Sequence, residues 1–117
     1  MPVATCHCGA ARLSFPTLDL ASARRCDCSL CRRKGAIVVS VPVPELTVEA
    51  GETLRLYQFN TMTAEHYFCG VCGIYTHHRR RSDPSEYGVN LGCVEGVDLP
   101  ALEPVVWNDG VNHPSDR

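Results

Sequence analysis

The sequence predicts a mainly β domain whose short elements are pinned by metal. Three observations carry this. No stretch sustains a helical period of apolar residues. Nine glycines and eight prolines are scattered along the chain, which punctuates it into short segments. Seven of the eight cysteines fall in C-x-C, C-x-x-C or C-x-C-x-x-C spacing, the pattern of metal knuckles. A mixed α+β domain with one short helix is the alternative.

The elements follow in order. Val3 to Cys6 and Ala11 to Phe15 read as two short strands around a tight turn, Cys6-His7-Cys8-Gly9. Gly9 can take a positive φ and turn backbone N–H groups toward the sulfurs. Pro16 to Arg25 has no pattern and reads as a connector. Cys26 to Cys31 follows, and Arg32-Arg33-Lys34 extends it into one helical turn that stops at Gly35. Ala36 to Val43 is rich in β-branched residues and predicts a buried strand ended by Pro42 and Pro44. Leu46 to Val48 is a short edge piece, and Thr53 to Phe59 a strand with imperfect alternation. Thr63 to Phe68 runs into a second knuckle, Cys69-Gly70-Val71-Cys72-Gly73, and Ile74 to Arg79 leaves it. Ser82-Asp83-Pro84-Ser85 is a turn, with Tyr87 to Gly92 as the returning hairpin strand. Val97 to Pro104 is a loop or short helix. Val105 to Trp107 is a last strand, with Trp107 as a core anchor, and a polar tail, Asn108 to Arg117, ends the chain. No linker or repeat divides the sequence, so residues 1–117 read as one domain.

Composition narrows the function. A formal net charge of -2 and a pI near 6.2 give no electrostatic pull toward nucleic acid, and basic residues are not interleaved with aromatic ones. The longest apolar run is too short to span a bilayer. The start Met-Pro-Val-Ala-Thr-Cys carries no secretory pattern, so the expected compartment is the reducing cytoplasm, where paired cysteines bind metal rather than form disulfides.

Cys6 and Cys8 on one knuckle and Cys69 and Cys72 on the other supply four thiolates, the donor set of a tetrahedral structural zinc. The stretch 9–68 lies between the two halves, so this metal would clip the N-terminal hairpin to the middle of the chain.

Cys26, Cys28 and Cys31 form a second group. Three protein ligands and one exchangeable position is the pattern of a catalytic zinc. Such a centre has a formal charge of -1, which Arg32, Arg33 and Lys34 can offset, and its soft ligand field suits an incoming thiol. Two other readings stand beside this one: Cys93 or a histidine closes the site, or the three cysteines are plain thiols. Cys93 itself reads as a small core residue. His66, His77 and His78 read as surface or hydrogen-bonded strand residues. His7 should point away from the metal, and His113 could approach the pocket. Arg79-Arg80-Arg81 reads as a solvated strand end, with an anion site as its sharper reading.

Cys6-His7-Cys8-Gly9, Cys26-Asp27-Cys28-Ser29-Leu30-Cys31-Arg32-Arg33-Lys34-Gly35 and Phe68-Cys69-Gly70-Val71-Cys72-Gly73 resemble the glutathione-dependent formaldehyde-activating family, which includes centromere protein V. Val89-Asn90-Leu91-Gly92-Cys93 and Asp109-Gly110-Val111-Asn112-His113-Pro114 are similar to its downstream segments. The resemblance implies a β-tent of two packed antiparallel sheets with at most one or two helical turns. It implies structural zinc on Cys6, Cys8, Cys69 and Cys72, and catalytic zinc on Cys26, Cys28 and Cys31. It also implies a carbon–sulfur lyase activity that joins formaldehyde and glutathione as S-hydroxymethylglutathione. The expected partners are thus a small thiol and a small aldehyde, with neither nucleic acid nor membrane. The alternative is a non-catalytic, zinc-stabilised module that binds a thiol or another protein.

Overall fold

The computed structural model describes residues 1–112, so His113 lies outside the described residues. Two sheets make up the fold. The smaller has β1 (Val3–Thr5), β2 (Arg12–Ser14) and β5 (Thr47–Glu49) in the order β1-β2-β5. The larger contains β3 (Arg24–Cys26), β4 (Val38–Pro42), β6 (Leu54–Tyr57), β7 (Glu65–Cys69), β8 (Tyr75–Arg79), β9 (Glu86–Asn90) and β10 (Val106–Asn108). Its strand order is β10-β3-β4-β9-β8-β7-β6. Among the described residues every strand pairing is antiparallel except that of β10 with β3, at one edge of the larger sheet. One α-helix, α1 (Ser29–Lys34), and four single 3-10 turns are the helical content of the described residues. The mainly β expectation therefore holds.

The facing sides of the sheets share one core. Ala4 and Leu13 come from the smaller sheet, Val39, Val41 and Val89 from the centre of the larger one, and Phe15 and Leu91 from adjoining loops and turns. Alternation explains the choice: in β4, Val39 and Val41 face inward while Ser40 between them is only partly buried. Cys93 sits in this core and donates to the Tyr75 carbonyl at 3.7 Å.

Two readings are corrected. The stretch 16–25 is not all connector, because Arg24 and Arg25 begin β3. Trp107 is not a core anchor. It lies on the edge strand β10, 57% exposed, with the Arg25 guanidinium 5.8 Å from its ring centroid. An edge strand facing solvent buries no side chain, and all three residues of β10 are exposed.

Candidate metal centres and cavity

The two knuckles are built alike. In each, the cysteine at the end of a short strand keeps its carbonyl for the amide of the closing glycine: Gly9 N to Cys6 O at 3.2 Å, and Gly73 N to Cys69 O at 2.8 Å. Gly9 and Gly73 have φ of +83° and +81°, a backbone shape that side chains resist. The turns aim further amides at sulfur: Ala11 N donates to Cys6 Sγ at 3.3 Å and Val71 N to Cys69 Sγ at 3.4 Å. The four sulfurs lie within 4.8 Å of one another, with Cys6–Cys8 and Cys8–Cys69 separations of 3.7 Å. A tetrahedron with Zn–S bonds of about 2.3 Å has edges of about 3.8 Å, so the spacing and donor set fit zinc and could hold it. Cys6 and Cys69 are buried beside Ala11, Cys8 is exposed and Cys72 intermediate. His7 is exposed and stays out of the cluster, as expected.

The second group lies where β3 meets α1. Cys26 ends β3, Cys28 is the N-cap of α1, and Cys31 lies in its first turn. Their sulfurs also lie within 4.8 Å of one another and could hold a metal ion. Cys28 Sγ accepts the Cys31 amide at 3.3 Å. Hydrogen bonds from Cys26 and Cys31 hold the Cys28 thiol far below the ordinary range, which favours a thiolate there. The helix closes at Gly35, φ +66°, whose amide bonds the Cys31 carbonyl at 3.0 Å. Among the described residues neither Cys93 nor any histidine joins either sulfur group.

A strap from the far end of the chain packs onto this cluster. β10 runs beside β3 with Asn108 opposite Cys26. The Asp27 carboxylate then accepts the amides of Gly110 at 2.8 Å and Val111 at 3.1 Å. Gly110 is buried so tightly that a Cβ on it would stand 2.4 Å from Cys26 Sγ and 2.7 Å from Cys28 Cβ. Arg81 holds the strap from the other side, donating to the Gly110 carbonyl at 3.1 Å.

The three sulfurs line a cavity of about 460 Å³. Its wall is a ladder of rings: Phe59, His66, His78 and Tyr75 stack in succession with centroids 5.3–6.0 Å apart. Tyr75 Oη and His78 Nδ1 are 2.5 Å apart, and the ring of His78 covers Gly88, where a Cβ would meet it at 2.4 Å. Burial lowers His66 to about 4, pushes His78 well below its usual value and raises Tyr75 well above its own, so all three are neutral at pH 7. Lys34 is the member of the basic run that reaches the cavity; Arg32 and Arg33 are exposed, and Arg33 bonds the helix carbonyl of Ser29. The expectation for Arg79-Arg80-Arg81 is also corrected. Arg80, paired with Glu86, and Arg81 line the cavity, while Arg79 bonds the Pro84 carbonyl at 2.8 Å. A run leaving a strand alternates faces, so its members need not share solvent. Of the two positions expected for the histidines, the hydrogen-bonded one is found: His66 and His77 are buried, His66 against Lys34 at 2.7 Å, and His77 bonding Thr76 at 2.8 Å and stacking on Tyr67.

Comparison with known proteins agrees with this geometry. A family profile described as glutathione-dependent formaldehyde-activating enzyme matches residues 1–108. A crystal structure of a Rhodobacter sphaeroides protein superposes with a TM-score of 0.87 at 53% sequence identity, covering 91% of this chain and 99% of that one. With the profile spanning both cysteine groups and the strands that carry them, the chain belongs to the glutathione-dependent formaldehyde-activating family.

Proposed function

We propose that the chain, acting as one domain over residues 1–117, is a zinc-dependent carbon–sulfur lyase-type enzyme. It adds a thiol, glutathione or a similar one, to a small aldehyde such as formaldehyde, in the cytoplasm. The observation that supports this is a difference in surroundings. The three-sulfur group opens into the cavity, whereas the four-sulfur group spends all its donors on itself.

In this reading Cys6, Cys8, Cys69 and Cys72 hold a structural zinc, and Cys26, Cys28 and Cys31 hold a catalytic one. Zinc held by three thiolates supplies Lewis acidity that keeps a thiol ionised at neutral pH. The rest falls to the chain. The neutral ring wall excludes water from part of the cavity, and Lys34, which stands against that wall, and Arg81 favour anionic groups within it. A C–S bond forms as the thiolate sulfur attacks the carbonyl carbon, and the C=O electron pair moves to oxygen. That oxygen takes up the proton the thiol gave up, so the sum is thiol plus aldehyde to hydroxyalkyl thioether.

The test is exchange NMR with labelled formaldehyde and glutathione. A rate above the uncatalysed condensation, lost in Cys28→Ser, supports the reaction. Binding of the thiol without rate enhancement moves the assignment to a non-catalytic thiol-binding module.

A further inference from the structure

Arg24, Lys34, Arg80 and Arg81 line the cavity, facing the sulfurs of Cys26, Cys28 and Cys31 and, among the described acids, the carboxylate of Asp109. The arginines are engaged by the protein: Arg24 by the Ser22 carbonyl at 2.9 Å and Ser40 Oγ at 3.0 Å, Arg80 by Glu86, and Arg81 by the Gly110 carbonyl. Lys34 differs. Its Nζ stands 2.7 Å from His66 Nδ1 and 3.7 Å from the centroid of Tyr75, an imidazole and a ring face, both neutral at pH 7. An ammonium has three donors, and these two contacts leave one for a ligand. The position is also specific. Lys34 lies three residues after Cys31 on α1, so the two side chains share a helix face about 5–6 Å apart at Cβ.

We infer that Lys34 is a specificity-determining residue that receives a carboxylate, carried within a few bonds of the reacting sulfur or carbonyl carbon. The substrate class is then a short mercapto acid, or an aldehyde bearing an acid group, in preference to neutral reactants. This rests on the proposed thiol addition, but the binding part stands apart from turnover.

The test uses the zinc-loaded full chain. Calorimetry compares 3-mercaptopropionate with 2-mercaptoethanol, and propionate with propionamide. Each acid is expected to bind at least about tenfold tighter than its neutral counterpart, with Lys34→Met erasing most of that ratio and Lys34→Arg keeping part of it. In the wild-type protein, which cannot suffer a folding defect, propionate should shift the NMR signals of the Lys34 ε-methylene. A ratio near one in the wild type, a ratio kept by Lys34→Met, or an unmoved Lys34 signal overturns the assignment. Turnover then places the carboxylate. A Lys34→Met loss confined to 3-mercaptopropionate with formaldehyde puts it on the thiol. A loss confined to glyoxylate with 2-mercaptoethanol puts it on the aldehyde. Turnover of both pairs with no Lys34→Met loss in either overturns the inference. Acid-selective binding without any turnover would leave the cation site standing and remove the proposed reaction instead.

Discussion

The two cysteine groups use the same ligand atom in opposite ways. Four sulfurs come from two glycine-closed knuckles far apart in sequence, and each knuckle turns its own amides toward its sulfurs. Their neighbours are Ala10, Ala11, Ala50 and Leu54, which offer a substrate nothing to bind. Three sulfurs come from one local turn, held from outside by the Asp27–Gly110–Arg81 strap and facing a cavity walled by rings and cations. In the proposed reading the first group would saturate a metal and tie two regions of chain together. The second would leave a coordination position beside a space that can hold reactants. What would then separate a structural from a reactive site is the ligand count together with the wall that the rest of the chain provides.

The comparison breaks first at the four-sulfur group. Structural zinc sites carry apparent binding energies of about 10–16 kcal/mol, comparable to a whole domain's net stability. Cys69→Ser is expected to lose cooperative unfolding, as followed by circular dichroism, and to lose both metals. Cys28→Ser should keep the fold, lower zinc from two to one per chain, and reduce turnover by at least about a hundredfold. If the two substitutions have equal effects on folding, the distinction between the sites fails.

The strap provides a smaller effect. Gly110→Ala forces a Cβ against Cys26 Sγ and Cys28, whose backbone cannot easily yield. We expect about tenfold weaker retention of the second metal under chelator challenge, with unchanged retention of the first. Asp27→Ala removes a charged acceptor from two amides. At about 1.5–3 kcal/mol for a bond to a charged group, hydrogen exchange at Gly110 and Val111 should speed up by at least tenfold.

Much of this was legible in the chain, for reasons that also mark the limits. Local spacing reveals a knuckle, because the glycine and the two sulfurs act within a few residues; Gly9, Gly35 and Gly73 sit where their left-handed backbone is needed. β3 is not legible in the sequence because it is three residues long and its edge partner is β10, some eighty positions away, a pairing no local pattern records. The ring ladder was hidden by a register shift. β7 and β8 pair Tyr67 with His77 and Phe68 with Tyr75, so Thr76 is an extra residue. Strict alternation would put Tyr75 and His78 on opposite faces, yet the irregularity brings both to the cavity. Only the family resemblance marks the Asp109-Gly110 segment in the sequence, and the close contact at Gly110 supplies its physical reason.

The smallest expected effect concerns pH and a residue that belongs to neither sulfur group. Burial lowers His77 to about 4 from an ordinary 6.5. Between those values the unfolded chain binds the proton and the folded chain does not. Stability from this group is therefore complete above pH 6.5 and falls as pH drops toward 4. Urea midpoints should decline over that window, and His77→Gln should flatten part of the decline.

The central claim is that one sulfur group is closed and the other open. Diffraction with anomalous signal at the zinc edge tests it most directly. The account predicts two zinc peaks. One is bound by the sulfurs of Cys6, Cys8, Cys69 and Cys72. The other is bound by Cys26, Cys28 and Cys31 with a non-protein ligand on the cavity side. A single peak, or a fourth protein ligand at the second position, would contradict it.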